Sequence, residues 1–165
     1  MDILAHFLWT FALFFKRKER WLAGFFGVMP DIVSFGPHLV LSIIVGNSMF
    51  GRPDLANIPV SVFMLYNLTH SLVIFALAVL TVYLITKKIH WFMFGWGLHV
   101  LIDIPTHTKE FFPTPFLYPF SQPFIDGIRW SNPVFMAVNY SLLAIVYAWL
   151  VYNLVKNKTL NKEES

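Results

Sequence analysis

Ionisable residues sit inside the apolar runs of this chain, and no other feature constrains its fold so tightly. The run from 89 to 104 carries His99 and Asp103, and His107 follows three residues after its end. On a helix, His99 and Asp103 share one face about 6 Å apart. Pro105 is expected to end that helix near Asp103, so that His107 lies on the exit strand. A histidine and a carboxylate one turn apart can hold a metal ion together, or can hydrogen-bond to each other and pack two helices. Buried in hydrocarbon, such groups cost several kcal/mol unless paired or metal-bound, which makes them functional candidates.

The hydrocarbon setting follows from composition. Of 165 residues, 57% are hydrophobic, 18% aromatic and only 13% charged, about half the charged fraction of soluble domains. The reading is an all-α, polytopic integral membrane bundle forming a single membrane-embedded domain over residues 1–165. There is no cysteine, which excludes disulfides and thiolate metal sites. The net charge of +3 sits in Lys/Arg clusters at the ends of apolar runs, a pattern that orients helices and does not suggest nucleic-acid binding.

About five membrane segments are expected. Residues 3–15 form a short apolar run containing His6, closed by Lys16, Arg17, Lys18 and Arg20. Residues 21–29 and 38–50 read as two half-helices around Pro30, Asp31, Gly36 and Pro37, a segment broken at Pro30-Asp31 whose free backbone groups would line a cavity. After a polar turn at 51–54, Asn57 and Pro59 mark the start of a helix running to Thr86, with Thr69, His70 and Ser71 inside it. The 89–104 run is the fourth segment. Residues 105–132, with Pro113, Pro115, Pro119 and Pro123, read as an irregular outer segment. Asn132 and Pro133 start the last helix, and 156–165 form a polar cytoplasmic tail.

The basic clusters at 16–20, 87–88 and 156–162 fall at every second boundary, so the positive-inside rule puts the N-terminus outside and the C-terminus inside. His6, Asp31 and His99 are ten or eleven residues from their nearest basic cluster, roughly 15–17 Å into the bilayer. Asp103 and His70 come out somewhat further toward the outer side. The shared band points to a metal site built from His6, Asp31, His70, His99 and Asp103, with His107 as a further candidate. Histidine and carboxylate without thiolate suit Zn²⁺ first, then Mn²⁺ or Fe²⁺, as one ion or two. His99 and Asp103 form the central catalytic pair, holding a metal-activated water. Thr69 and Ser71 read as helix hydroxyls bonded to backbone or as donors supporting His70, and His38 and His90 as structural. Lys109 and Arg129 read as surface charge, the alternative being a clamp for an anionic headgroup.

The ordered motifs Met-Asp-x-x-x-His at the start, Gly-x-x-x-Pro-Asp-Ile ending at Ile32, Thr-His-Ser-Leu beginning at Thr69, His-x-x-x-Asp beginning at His99 and Tyr-Pro-Phe beginning at Tyr118 resemble the YdjM-type inner-membrane metal-dependent hydrolases. The ligand order is also similar to that of the zinc-dependent phospholipase C and S1/P1 nuclease group. The resemblance implies a prokaryotic cytoplasmic membrane and hydrolysis of a phosphoester in a lipid or lipid-linked substrate. It also implies one ion held by Asp31, His70, His99 and Asp103, a second by His6 with a bridging Asp103, and His107 on a further ion. Two positions depart from the family: Val33 stands where a second aspartate is common, and Tyr66, Asn67 and Leu68 where Arg-Gly is common. From the residues alone, a non-catalytic protein that binds or conducts metal ions or protons, and a packing module without metal, remain open.

Overall fold

In the computed structural model, residues 1–45, 55–121 and 123–163 are described. The polar turn expected at 51–54 lies outside them. The elements are α1 (Ile3–Leu13), α2 (Arg20–Val45), α3 (Val60–Thr69), α4 (Leu72–Thr86), α5 (Phe94–Thr106) and α6 (Pro133–Glu163), with short 3₁₀ turns at Leu55–Asn57 and Trp91–Met93. Among the described residues there is no strand, only an isolated bridge between Thr108 and Phe111.

The chain is apolar outside and polar inside. Its largest fully buried side chains include His6, His70, His99, Asp103, Thr10, Ser34 and Ser71, while Ile44, Ile85 and Val134 are more than 70% exposed. Soluble proteins almost never bury charge while exposing aliphatic side chains on this scale; a lipid-facing bundle does. Arg20–Val45 and Pro133–Asn157 are long and apolar enough to cross a membrane, and α3 with α4 makes a third candidate if that bent pair is one span. At 11 and 13 residues, α1 and α5 are only about 16–20 Å long, short of a full crossing.

Three local expectations are corrected. The first concerns the second segment, which is not broken at Pro30-Asp31: α2 runs unbroken through both Pro30 and Pro37. Hydroxyls gather at the proline turn, where Ser34 Oγ donates to the Pro30 carbonyl at 2.7 Å and Thr69 Oγ1 lies 3.3 Å from it. These bonds reinforce the turn that follows Pro30, whereas the carbonyl freed by its missing N–H is that of Phe26, one turn earlier. The break falls instead between α3 and α4, which meet at a 61° bend. There Ser71 leaves helical geometry and its hydroxyl caps α4, accepting from the amides of Val73 and Ile74.

The second correction is at Pro105, which lies inside α5. The helix continues to Thr106, and His107 is its extended cap. The third is at the C-terminal end, where α6 continues as helix through 156–163. Its start is as expected, with Asn132 Oδ1 accepting from the amides of Val134 and Phe135.

α2 is the central element and packs against α1, α3 and α5. Small residues permit this. A Cβ on Gly27 would collide with the Thr10 hydroxyl of α1, and one on Gly95 with the Ala23 carbonyl of α2. In lipid, where no hydrophobic drive joins apolar helices, such close backbone approach supplies the packing energy. α4 buries no side chain, and α6 packs along α1.

Candidate metal centre

Four side chains from three places in the fold converge on one buried point. α2 supplies Asp31, the α3–α4 bend supplies His70, and α5 supplies His99 and Asp103. Each offers one ligand atom, and the four atoms lie within 4.8 Å of one another. His99 Nε2 is 3.0 Å from His70 Nε2 and 3.1 Å from Asp103 Oδ2. His70 Nε2 is 3.4 Å from Asp31 Oδ1 and 3.5 Å from Asp103 Oδ2, and His99 Nε2 is 3.8 Å from Asp31 Oδ1. Around one ion with tetrahedral bonds of 2.0–2.1 Å, ligand atoms are spaced roughly 3.3 Å apart.

Backbone carbonyls face the two imidazoles. His99 Nδ1 donates to the Gly27 carbonyl at 2.7 Å, and His70 Nδ1 lies 3.2 Å from the Tyr66 carbonyl and 3.0 Å from Thr69 Oγ1. The Gly27 carbonyl only accepts, so the proton of a neutral His99 is on Nδ1 and its Nε2 lone pair faces inward. Donation from His70 Nδ1 to the Tyr66 carbonyl would turn the His70 Nε2 lone pair inward as well. Two lone pairs would then meet across 3.0 Å, flanked by two carboxylates. One added proton would relieve that contact and leave the remaining acceptors unmatched. Asp103 Oδ2 is fully buried with no hydrogen-bond partner among the described residues. A divalent cation at the centre satisfies all four atoms and offsets the charge of the two carboxylates.

Asp103 divides the six predicted ligands into two sets. Its Oδ2 faces the group of four. Its Oδ1 receives His6 Nε2 at 2.9 Å, lies 3.6 Å from His107 Nδ1 and accepts from the Met1 amine. His6 also stacks on the His99 ring at 3.8 Å, and its Nδ1 is buried without a partner among the described residues. His6, His70, His99 and Asp103 are 0% exposed, whereas Asp31 and His107 each retain 9%.

The surrounding residues were largely invisible in the sequence. Thr69 is bonded to the Leu65 carbonyl as a helix hydroxyl would be, yet it also contacts Ser34 Oγ at 2.8 Å and His70. Tyr66 stacks on His70 and donates to the Phe112 carbonyl. Trp96 Nε1 donates to the Thr69 carbonyl at 2.6 Å, and Thr114 Oγ1 lies 3.4 Å from His107 Nδ1. Only the adjacency of Thr69 and Ser71 to His70 signalled any of this. Ser71 Oγ also donates to the Tyr118 carbonyl at 2.6 Å, tying the Tyr-Pro-Phe motif to the bend that carries His70. His38 and His90 lie outside the cluster, half-buried, and Lys109 and Arg129 are exposed. Val33 is 37% exposed, as the continuous helix requires two positions after an inward residue, so a carboxylate there would not reach the group of four.

Comparisons with protein-family models, with curated proteins and with solved structures found no match to this chain.

Proposed function

We propose that this chain is a membrane-embedded metal-dependent hydrolase that cleaves a phosphoester of a lipid or lipid-linked substrate. The observation that carries the metal part is the convergence of two imidazole nitrogens and two carboxylate oxygens on one point, with the His99 tautomer set by the Gly27 carbonyl. Asp31, His70, His99 and Asp103 would hold the ion, with Zn²⁺ favoured by imidazole and carboxylate ligands without thiolate. When bound, such an ion lowers the pKa of a coordinated water toward 7 and polarises a phosphoryl oxygen. His6 and His107, on the other oxygen of Asp103, are positioned to steady that carboxylate, to hold a second ion through it, or to move a proton at Asp103 Oδ1. The phosphoester and the hydrolytic reaction rest on the resemblance of the ordered motifs, and the lipid rests on a polar site enclosed by lipid-facing helices.

The orientation belongs to the same reading: a prokaryotic cytoplasmic membrane, N-terminus outside, C-terminus inside and the 105–132 segment on the outer face, with α1 and α5 completing a five-segment bundle.

Purified protein is expected to retain about one or two equivalents of divalent transition metal. The double substitution His99→Ala/Asp103→Ala should remove it and abolish phosphoesterase turnover on vesicle lipids. Metal retained in stoichiometric amount by the double variant would overturn the centre. Metal lost on substitution but no turnover by the parent on any phosphoester lipid would leave a metal or proton carrier. Absence of metal from the parent, with full stability, would leave buried His–Asp packing alone.

A further inference from the structure

A second site lies on the opposite side of Asp103 from the group of four. A cavity of about 420 Å³ runs between α1, α5 and α6, lined by Trp9, Leu13, Leu101, Ile102, Phe135 and Asn139, with Met1 and Thr106 at one end. Its rim is lipid-facing, since Leu13 is 65% exposed and Leu101 54%. Its wall toward the metal centre is one residue thick: Met1 donates to Asp103 Oδ1, and Thr106 Oγ1 lies 3.5 Å from the same oxygen.

Asn139 is the polar exception in this lining along α6, and it is 6% exposed. Trp9 Nε1 donates to its Oδ1 at 2.9 Å. That bond fixes the amide orientation, because the indole only donates. The Asn139 Nδ2 is therefore a donor, buried and without a partner among the described residues. An unmatched amide in an apolar, water-free setting costs free energy that an acceptor on a bound molecule would recover, with Asn139 turning its covered Nδ2 toward the groove as that molecule seats. The occupant must be apolar along most of its length and carry an oxygen acceptor partway along it.

We infer that this groove seats an acyl chain of an ester lipid, with the ester carbonyl accepting a hydrogen bond from Asn139 Nδ2. The headgroup end then lies by Met1 and Thr106, beside Asp103. This deepens the proposed hydrolase reading by giving its lipid substrate a seat, and rests on that reading for the word substrate. The groove itself is tested without turnover.

The probe is a diacyl phosphatidylglycerol bearing a diazirine in one acyl chain, at trace level in phosphatidylcholine nanodiscs holding chelator-treated protein. Photo-crosslinks mapped by mass spectrometry should concentrate on Trp9, Leu13 and Phe135. The equally lipid-facing Leu84 and Ile85 of α4 serve as the reference. The diether analogue, and the diester lipid with Asn139→Leu, should each lower groove labelling roughly five-fold, as one amide-to-carbonyl hydrogen bond warrants. Leu101→Trp, at an exposed position where folding tolerates bulk, should fill the groove and remove the labelling. Uniform labelling of α4 and the groove would overturn the site, and equal labelling by diester and diether lipids would overturn the role of Asn139. A groove that labels in a protein without phosphoesterase activity overturns the hydrolase and keeps the groove. Turnover with an unlabelled groove does the reverse.

Discussion

Asp31 separates a ligand from a packing residue. It sits 3.4 Å from His70 and 3.8 Å from His99, and it is one of the two cluster members with any exposure. Asp31→Asn keeps the shape and removes the charge that offsets an ion. Metal affinity or turnover should fall by at least about 10-fold, since even changes to residues behind the ligands cost that much. With metal withheld, the melting temperature should hold or rise, because an uncompensated carboxylate in hydrocarbon is unfavourable. A lower melting temperature in the metal-free variant, with metal content unchanged, would mean that Asp31 only packs α2. The parent should melt higher with metal than with chelator, by an amount that grows with free metal concentration, because an ion that binds only the folded chain stabilises it by mass action.

At the scale of elements, the centre depends on how closely α2 approaches α5 and on where α3 gives way to α4. Gly95→Val would force a branched side chain against the Ala23 carbonyl. Overpacking of this kind costs about 1–3 kcal/mol, and because Gly27 orients His99 across the same interface, metal should be lost with stability. Thermal melting and metal analysis on one preparation check this; a stable, metal-free protein would contradict it. Ser71→Ala should cost roughly 1 kcal/mol through the lost α4 cap. It should also loosen His70, since Ser71 joins the bend to the Tyr118 carbonyl. A variant with parental melting temperature and metal content would show that the bend holds without its cap.

For the whole molecule, the proposed orientation predicts which ends face the outside. The absence of native cysteine makes single-cysteine labelling direct. An impermeant thiol reagent applied to intact cells should label a cysteine at position 109 and not one at 160. The opposite pattern would reverse the orientation and put the exposed edge of the cluster, at Asp31 and His107, toward the inner leaflet.

The class of the fold and the identity of its polar interior were legible in the sequence, because the cost of ionisable groups in hydrocarbon is a local property of each run. His6, Asp31, His70, His99 and Asp103 stood out by residue type against apolar neighbours, and the four-residue step from His99 to Asp103 alone implied a shared face. Long-range packing decided the rest. Pro30 looks like a break, yet α2 runs through it, and no neighbour in the chain announces that Thr69 will arrive beside its carbonyl. His70 sits in an apolar run that reads as continuous helix, yet that helix gives way at Ser71, which bonds to Tyr118, 47 residues away. The depth estimate placed Asp103 and His70 in one band with His6, Asp31 and His99, somewhat further out, and the packing of the α3–α4 bend brings His70 Nε2 to 3.4 Å from Asp31 Oδ1 and 3.0 Å from His99 Nε2. The split between the two oxygens of Asp103 and the apolar groove behind Met1 and Thr106 belong to the tertiary structure alone, since both depend on which helix faces meet. Composition and local spacing determine what a segment can bury, and the packing of α2 against three neighbours determines what it is buried against.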